Sequence, residues 1–334
     1  MRIRFLALFC LALFGSAWGQ TNLNGAGATF PYPMYSKWFS QYHTLHSDTQ
    51  INYQSIGSGG GIKQLQAKTV DFGASDVPMS DEQLAQTSFK VLHIPTVLGA
   101  DVPVYNLPSV SGEIKFTPDV LAGIFLGEIK KWNDPRLTKN NSDLKLPDSE
   151  IIVVHRSDGS GTTYIFTDYL SKVSEEWKTK VGKNTSVNWP VGLGAKGNEG
   201  VAGTVKQTPG SIGYVELAYA MENHIPFGGV QNSAGEFVKA SLDSTTAAAA
   251  SAPQMPDDFR VSITNSPGKN AYPISSFTWL LVPAQWSDAT KKNTMVGFLN
   301  WMLDQGQTMT AELHYAPLPK NVVEKVKKKV SEIR

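Results

Sequence analysis

The chain has 334 residues, 41% of them hydrophobic, and its 30 basic and 29 acidic side chains give a net charge of +1. This composition is typical of a globular protein and excludes a disordered chain. The balanced charge lacks the basic excess of nucleic-acid binders, and we interpret the basic run 325–329 as a helix end, so no nucleic-acid partner is expected. The length exceeds what one small core usually holds and favours two domains.

Residues 1–19 have the features of a cleaved secretory signal. A short basic segment precedes the apolar run 5–14, and small residues follow at the positions that a signal peptidase reads. We therefore expect a secreted chain that begins at Gln20 and has no direct membrane anchor, because the apolar run is too short to span a bilayer. The only cysteine, Cys10, lies in this leader without the small residues of a lipoprotein signal, so neither lipidation nor a disulfide is expected.

Helix-like and strand-like patterns alternate along the rest of the chain, which predicts an α/β fold. The first helix, over 32–46, carries aromatic residues on one face, and these are expected in the core. The apolar stretch 91–106 is predicted to be a buried strand or an interdomain crossover. The other predicted elements are a helix over 62–68, a strand over 70–76, a strand over 151–154, a helix over 162–173, a surface connection over 247–256, a strand over 277–282 and a helix over 294–302.

Three loops rich in glycine and hydroxyl residues each lead directly into a predicted helix. They span 25–31, 56–61 and 158–163. A helix start offers unpaired backbone N–H groups and the positive end of the helix dipole, and small residues let an anion approach them. The three loops together predict one site for a tetrahedral oxyanion that is held mostly by neutral donors.

Other chemistries fit these loops poorly. The first loop lacks the third glycine of a dinucleotide fingerprint, and the second has Ile62 where a phosphate-binding P-loop needs glycine. The six histidines are scattered, so no metal site is expected, and we predict no cofactor. Ser160 is not flanked as a nucleophilic serine would be, which favours a hydrogen-bond donor over a catalytic residue.

Several long motifs, in order, resemble one family. They are Gly25-Ala-Gly-Ala-Thr-Phe-Pro31, Ile56-Gly-Ser-Gly-Gly-Gly61, Val70-Asp-Phe-Gly-Ala-Ser-Asp76 and Arg156-Ser-Asp-Gly-Ser-Gly-Thr162, with further segments at 124–134, 189–200 and 210–216. They resemble the periplasmic phosphate-binding proteins of the bacterial high-affinity phosphate ABC transporter. The resemblance covers nearly the whole mature chain.

This resemblance implies a type II periplasmic-binding-protein fold, in which two α/β lobes joined by a hinge hold the ligand in the cleft between them. Lobe I would comprise residues 20–97 and 268–334, and lobe II residues 98–267. The chain would be a periplasmic monomer, without enzymatic activity, that captures inorganic phosphate and delivers it to a membrane-embedded ABC transporter permease.

The resemblance also implies a set of phosphate-binding residues, each carried over by its place in a matching motif. Asp76 would be the acceptor, Arg156 the charged donor, and Asp158 would support Arg156. The donors of the remaining set are Ala28, Thr29, Phe30, Ser58, Ser160, Gly161 and Thr162.

A carboxylate at an anion site has a chemical rationale. Phosphate at neutral pH keeps a proton that it can donate to Asp76, whereas sulfate can only accept, so the carboxylate favours phosphate. The structural alternatives are that Asp76 serves as a turn or helix cap before Pro78 and that Arg156 and Asp158 form a surface ion pair.

Two functional alternatives remain open. One is a secreted phosphatase or phosphoryl-transfer enzyme with Ser160 or Thr29 as nucleophile, which the absence of an evident base disfavours. The other is a binding protein for another tetrahedral oxyanion, such as sulfate, molybdate or an organic phosphate, and Asp76 is the residue that discriminates between these ligands.

Overall fold

The computed structural model describes residues 20–252 and 254–334. The expected secretory signal, residues 1–19, lies outside the described residues. Within the described ranges, no helix combines the length and the apolar composition needed to cross a membrane.

Strands and helices alternate along the chain, as an α/β fold requires. The strands are β1 (Thr21–Gly27), β2 (Thr49–Ser55), β3 (Phe72–Ser75), β4 (Val91–Tyr105), β5 (Lys115–Phe116), β6 (Ile152–Arg156), β7 (Leu193–Ala195), β8 (Ser211–Glu216), β9 (Gly229–Gln231), β10 (Phe237–Val238) and β11 (Ser275–Pro283). The α-helices are α1 (Tyr32–Leu45), α2 (Ser58–Gln66), α3 (Asp81–Ala85), α4 (Pro118–Phe125), α5 (Pro135–Thr138), α6 (Gly161–Val173), α7 (Glu175–Lys180), α8 (Gly197–Gln207), α9 (Leu217–Glu222), α10 (Leu242–Ser251), α11 (Ala289–Asp304) and α12 (Lys320–Val330), and a 3-10 helix spans Gly306–Leu313.

Among the described residues, eight strands form one mixed sheet in the order β2-β1-β3-β11-β4-β8-β6-β7, and β10, β9 and β5 form a small second sheet. The fifteen-residue strand β4 is buried throughout. Val91–Ala100 pair with β11, and Asp101–Tyr105 pair with β8. The strand therefore passes from one α/β half to the other, which gives the two lobes of a type II periplasmic-binding fold: lobe I carries β1, β2, β3 and β11, and lobe II carries β6, β7 and β8.

Aromatic residues fix α1 against lobe I, as the sequence predicts. Tyr35, Trp38, Phe39 and Tyr42 are all buried. The indole N–H of Trp38 donates to the carbonyl of Gly306 at 2.9 Å, so even its polar atom is satisfied in the core. These rings therefore serve packing and are not a ligand platform.

Most predicted elements agree with the structure to within a few residues, but three differ. The helix expected over 294–302 begins earlier, at Ala289, because the side chain of Asp288 caps it. The helix expected over 62–68 begins earlier, at Ser58, directly after Gly57, which adopts φ +86°. The surface connection expected over 247–256 is wrong in its first part, because α10 extends to Ser251 and buries Ala248. Consecutive alanines favour a helix, and a capping box at Ser241 starts it.

Candidate anion-binding site

The three glycine-rich loops meet where the lobes face each other. The backbone N–H of Gly59 donates to the carbonyl of Gly159 at 2.8 Å, which joins the second loop to the third. At Gly161 a Cβ atom would collide with the Oδ2 of Asp76 and the Oγ of Ser58. Glycine is required at this contact because the two lobes approach each other so closely.

The first loop contributes one buried hydroxyl and two free backbone donors. Thr29 is 2% exposed. The N–H of Ala28 donates to the carbonyl of Ala74 at 3.0 Å, whereas those of Thr29 and Phe30 have no acceptor among the described residues. The donor capacity predicted for 28–30 is thus concentrated in Thr29 and Phe30.

Asp76 follows the end of β3 and is held by hydroxyl groups. Its Oδ1 accepts a hydrogen bond from Thr278 Oγ1 at 2.7 Å. Its Oδ2 lies 3.3 Å from Ser58 Oγ, and that hydroxyl oxygen accepts the backbone N–H of Asp76 at 3.1 Å. Burial raises the pKa of Asp76 to about 7, although the Thr278 hydrogen bond and the Arg156 charge both oppose the rise. Asp76 does not act as a helix cap, because Ser80 caps α3.

Arg156 ends β6 and forms a buried, two-pronged ion pair with Asp158. Its Nε and Nη2 donate to the two carboxylate oxygens at 2.7 and 2.6 Å. The guanidinium is 1% exposed, which rules out a surface ion pair. Burial alone would raise the pKa of Asp158, but the hydrogen bonds and charge of Arg156 hold that pKa below its usual value. A Cβ at Gly57 would lie 2.5 Å from Asp158, so the second loop also packs on this pair.

The third loop places hydroxyl and backbone donors at the start of α6. Ser160 is its N-cap and accepts from the backbone N–H of Thr163 at 2.9 Å. The hydroxyl of Thr162 lies 3.2 Å from Nη1 of Arg156. Ser160 and Thr162 are fully buried. The positive end of the α6 dipole therefore faces the same small volume as Arg156 and Asp76, which suits an anion.

Two buried polar residues of this site, Asn198 and Thr278, are not among the residues predicted from the sequence. Asn198, in α8, donates from Nδ2 to the hydroxyls of Thr29 at 2.7 Å and Thr162 at 3.0 Å. Thr278, in β11, fixes Asp76. Asn198 does stand in one of the motifs of the family resemblance, but for Thr278 the only sequence signal is a hydroxyl in an apolar strand.

A cavity of about 550 Å³ adjoins the site and is lined by both lobes. Tyr164, Lys183 and Arg260 contribute to its wall. Of the predicted ligand residues only Asp76 reaches it, so the cavity lies beside the convergent donors and is distinct from them.

Comparisons with known proteins agree in one family. Residues 15–305 match the family model described as PBP superfamily domain. The chain is 48% identical over 309 residues to the phosphate-binding protein PstS of Xylella fastidiosa (strain Temecula1), covering 92% of this chain and 84% of that one. It is 48% identical over 322 residues to PstS of Pasteurella multocida, covering 95% and 93%. A crystal structure of the phosphate-binding protein from Stenotrophomonas maltophilia superposes with a TM-score of 0.70 at 18% identity, covers 92% and 93% of the two chains, and shares the fold.

Proposed function

We infer the function from the family: the chain belongs to the PstS family of phosphate-binding proteins. It captures inorganic phosphate as a secreted, monomeric periplasmic protein and delivers it to the membrane-embedded permease of an ABC importer. It needs no cofactor for this role and does not act as an enzyme.

One observation carries this proposal: buried polar groups from both lobes are packed together near one carboxylate, that of Asp76. Arg156 supplies the positive charge, and Asp158 orients its guanidinium through the two-pronged ion pair. Asp76 accepts the proton that phosphate retains at neutral pH. The donors in the proposed set are the hydroxyls of Thr29, Ser58, Ser160 and Thr162 and the backbone of Phe30 and Gly161, with Ala28 holding the first loop in place.

We place the lobe boundaries at 20–97 with 268–334 for lobe I and at 98–267 for lobe II. The change of β4 from pairing with β11 to pairing with β8 supports a division within this strand. Two hydrogen bonds link the two ranges: that of Gly59 with Gly159, and that of Asn198 with Thr29. Both would break if the lobes separated. Phosphate, bridging the same loops, would therefore favour the closed arrangement.

The phosphatase alternative is disfavoured by what surrounds its two candidate nucleophiles. The hydroxyl oxygen of Ser160 receives a backbone N–H, and that of Thr29 receives the amide of Asn198. Activation of a nucleophilic hydroxyl needs a base that takes its proton, and these partners are donors. The binding function makes full use of the same hydroxyls as donors.

Native mass spectrometry of the purified mature chain tests the proposal. We expect one phosphate per chain to co-purify and to be removed by dialysis after unfolding. A chromogenic phosphate ester incubated with the protein should remain intact. Hydrolysis that disappears in Ser160→Ala would instead establish the enzymatic alternative.

A further inference from the structure

The side-chain amide of Asn198 has only one possible orientation. Its Oδ1 accepts the backbone N–H of Glu216 at 2.9 Å. A backbone N–H can only donate, so the atom that faces it must be the amide oxygen. The Nδ2 end, with its two hydrogens, therefore faces Thr29 and Thr162.

Asn198 and its neighbours occupy the acceptor positions of both threonine hydroxyls. A hydroxyl has two lone pairs and one proton. The Oγ1 of Thr29 accepts two hydrogen bonds from Asn198, one from the side-chain Nδ2 at 2.7 Å and one from the backbone N–H at 3.3 Å. Thr162 Oγ1 receives Nδ2 of Asn198 at 3.0 Å and Nη1 of Arg156 at 3.2 Å. Each hydroxyl is left with only its proton to offer.

We propose that Asn198 is a positioning residue that makes the Thr29 and Thr162 hydroxyls, one from each lobe, obligatory hydrogen-bond donors to the bound anion. This inference rests on the proposed phosphate-binding function. A free hydroxyl can turn either a proton or a lone pair toward a ligand, and a lone pair facing an oxyanion is repulsive. Asn198 removes that second arrangement before the anion arrives.

The position of Asn198 also couples this effect to closure. It lies in the first turn of α8 in lobe II and is fully buried. Its bonds to Thr29 cross to lobe I, so the donor direction of Thr29 is fixed only when the lobes meet. Because both hydroxyls can then only donate, neither competes with Asp76 for the proton of phosphate.

A double-mutant cycle on phosphate affinity tests this role. Asn198→Leu keeps the approximate shape of the side chain but removes both amide hydrogens. Calorimetry with inorganic phosphate should show a dissociation constant raised about tenfold or more, since two hydrogen bonds are weakened. In a Thr29→Val, Thr162→Val background the same substitution should change the constant less than about threefold. An equal loss in both backgrounds would overturn the proposal.

Asn198→Asp provides a second test if the leucine variant fails to fold. It retains the oxygen that Glu216 requires, but its carboxylate would accept the threonine protons and turn their lone pairs toward the anion. We expect a larger loss of affinity than for leucine, partly recovered as the pH falls and the carboxyl becomes protonated. If Asn198→Asp lowers phosphate affinity by the same factor in the Thr29→Val, Thr162→Val background, the loss reflects charge repulsion alone and contradicts the proposal.

Asn141→Leu is the matched control, because Asn141 is also buried and bonds Lys115 and Leu137 instead. It should lower the melting temperature without changing phosphate affinity. Phosphate binding by the wild type distinguishes a failure of the proposed function from a failure of the role proposed for Asn198. Failure of the wild type to bind phosphate would refute the proposed function, whereas binding by the wild type with unchanged affinity in folded Asn198→Leu would refute only the role of Asn198.

Discussion

Asp76 is the single acceptor among the proposed ligand groups, and it should decide which anion binds. Asp76→Asn replaces a group that can only accept when ionised with one that can also donate. At pH 8, above the pKa of about 7 to which burial raises this carboxyl, phosphate should bind about tenfold more weakly or worse, and sulfate more tightly than in the wild type.

Competition binding with the two anions measures this change in preference. Asp143→Asn, at an exposed aspartate, is the control and should leave it unaltered. An unchanged preference in Asp76→Asn would mean that the Asp76 carboxylate is structural.

Arg156 is the positively charged group of the proposed ligand set. Charge-assisted hydrogen bonds contribute about 1.5–3 kcal/mol, so Arg156→Ala should weaken phosphate binding tens-fold or more. Some binding should remain, because most donors are neutral. Calorimetry can compare this variant with Arg136→Ala, which removes an arginine that pairs with Asp134 at the surface. A loss of only twofold for Arg156→Ala would place this residue outside the site.

The pairing of β4 with β8 buries two carboxyl groups that the proposed binding mechanism does not use. Asp101 and Glu216 are register partners and are fully buried. Both oxygens of Asp101 and one of Glu216 lack a hydrogen-bond partner within the described chain. Burial raises the pKa of each well above its usual value, and the neighbouring carboxyls, Asp76 included, add to the rise.

These raised pKa values predict how stability depends on pH. A carboxyl whose pKa is higher in the folded state stabilises the fold while it is protonated, and this contribution is lost as the pH rises from about 4, the unfolded value, to the folded pKa. Asp101→Asn stays neutral, so it should stabilise the phosphate-free protein at pH 8 and have little effect at pH 4. Each pKa unit corresponds to about 1.4 kcal/mol.

Urea unfolding at the two pH values, with Asp143→Asn as control, measures this difference. If Asp101→Asn lowered the free energy of unfolding equally at pH 4 and pH 8, the Asp101 carboxyl would be ionised and paired with hydrogen-bond donors in the folded protein.

The elements were largely predictable, because each depends on a local pattern. The aromatic stripe of α1 and the glycine loops before α2 and α6 are examples. The roles of Asn198 and Thr278 were not, because nothing local shows which polar side chain of a helix or strand will be buried against another lobe. The error in α10 has a different, local origin: a segment rich in alanine, serine and proline suggested a loop, but Ser241 caps it as a helix.

Several contacts hold the two lobes together in this structure. The hydroxyl of Tyr219 donates to the carbonyl of Thr29 at 2.6 Å, and Nη1 of Arg260 lies 2.6 Å from Asp81. These bonds and the loop contacts at the site would all be lost on opening. Phosphate would also contact groups of both lobes, so its binding should shift the molecule toward the closed form.

Solution scattering measures this shift as a smaller radius of gyration when phosphate is added to phosphate-free protein. Arg156→Ala at the same phosphate concentration should remain partly open, because less ligand is bound. An unchanged radius in the wild type would indicate a cleft that is permanently closed.

Capture of one inorganic phosphate in one cleft between the two lobes is the property from which the function follows. Titration calorimetry of the mature, phosphate-free chain tests it most directly, with phosphate added alone and then in the presence of excess sulfate. We expect about one phosphate bound per chain and little competition by sulfate. Absence of binding, or displacement of phosphate by an equal concentration of sulfate, would contradict it.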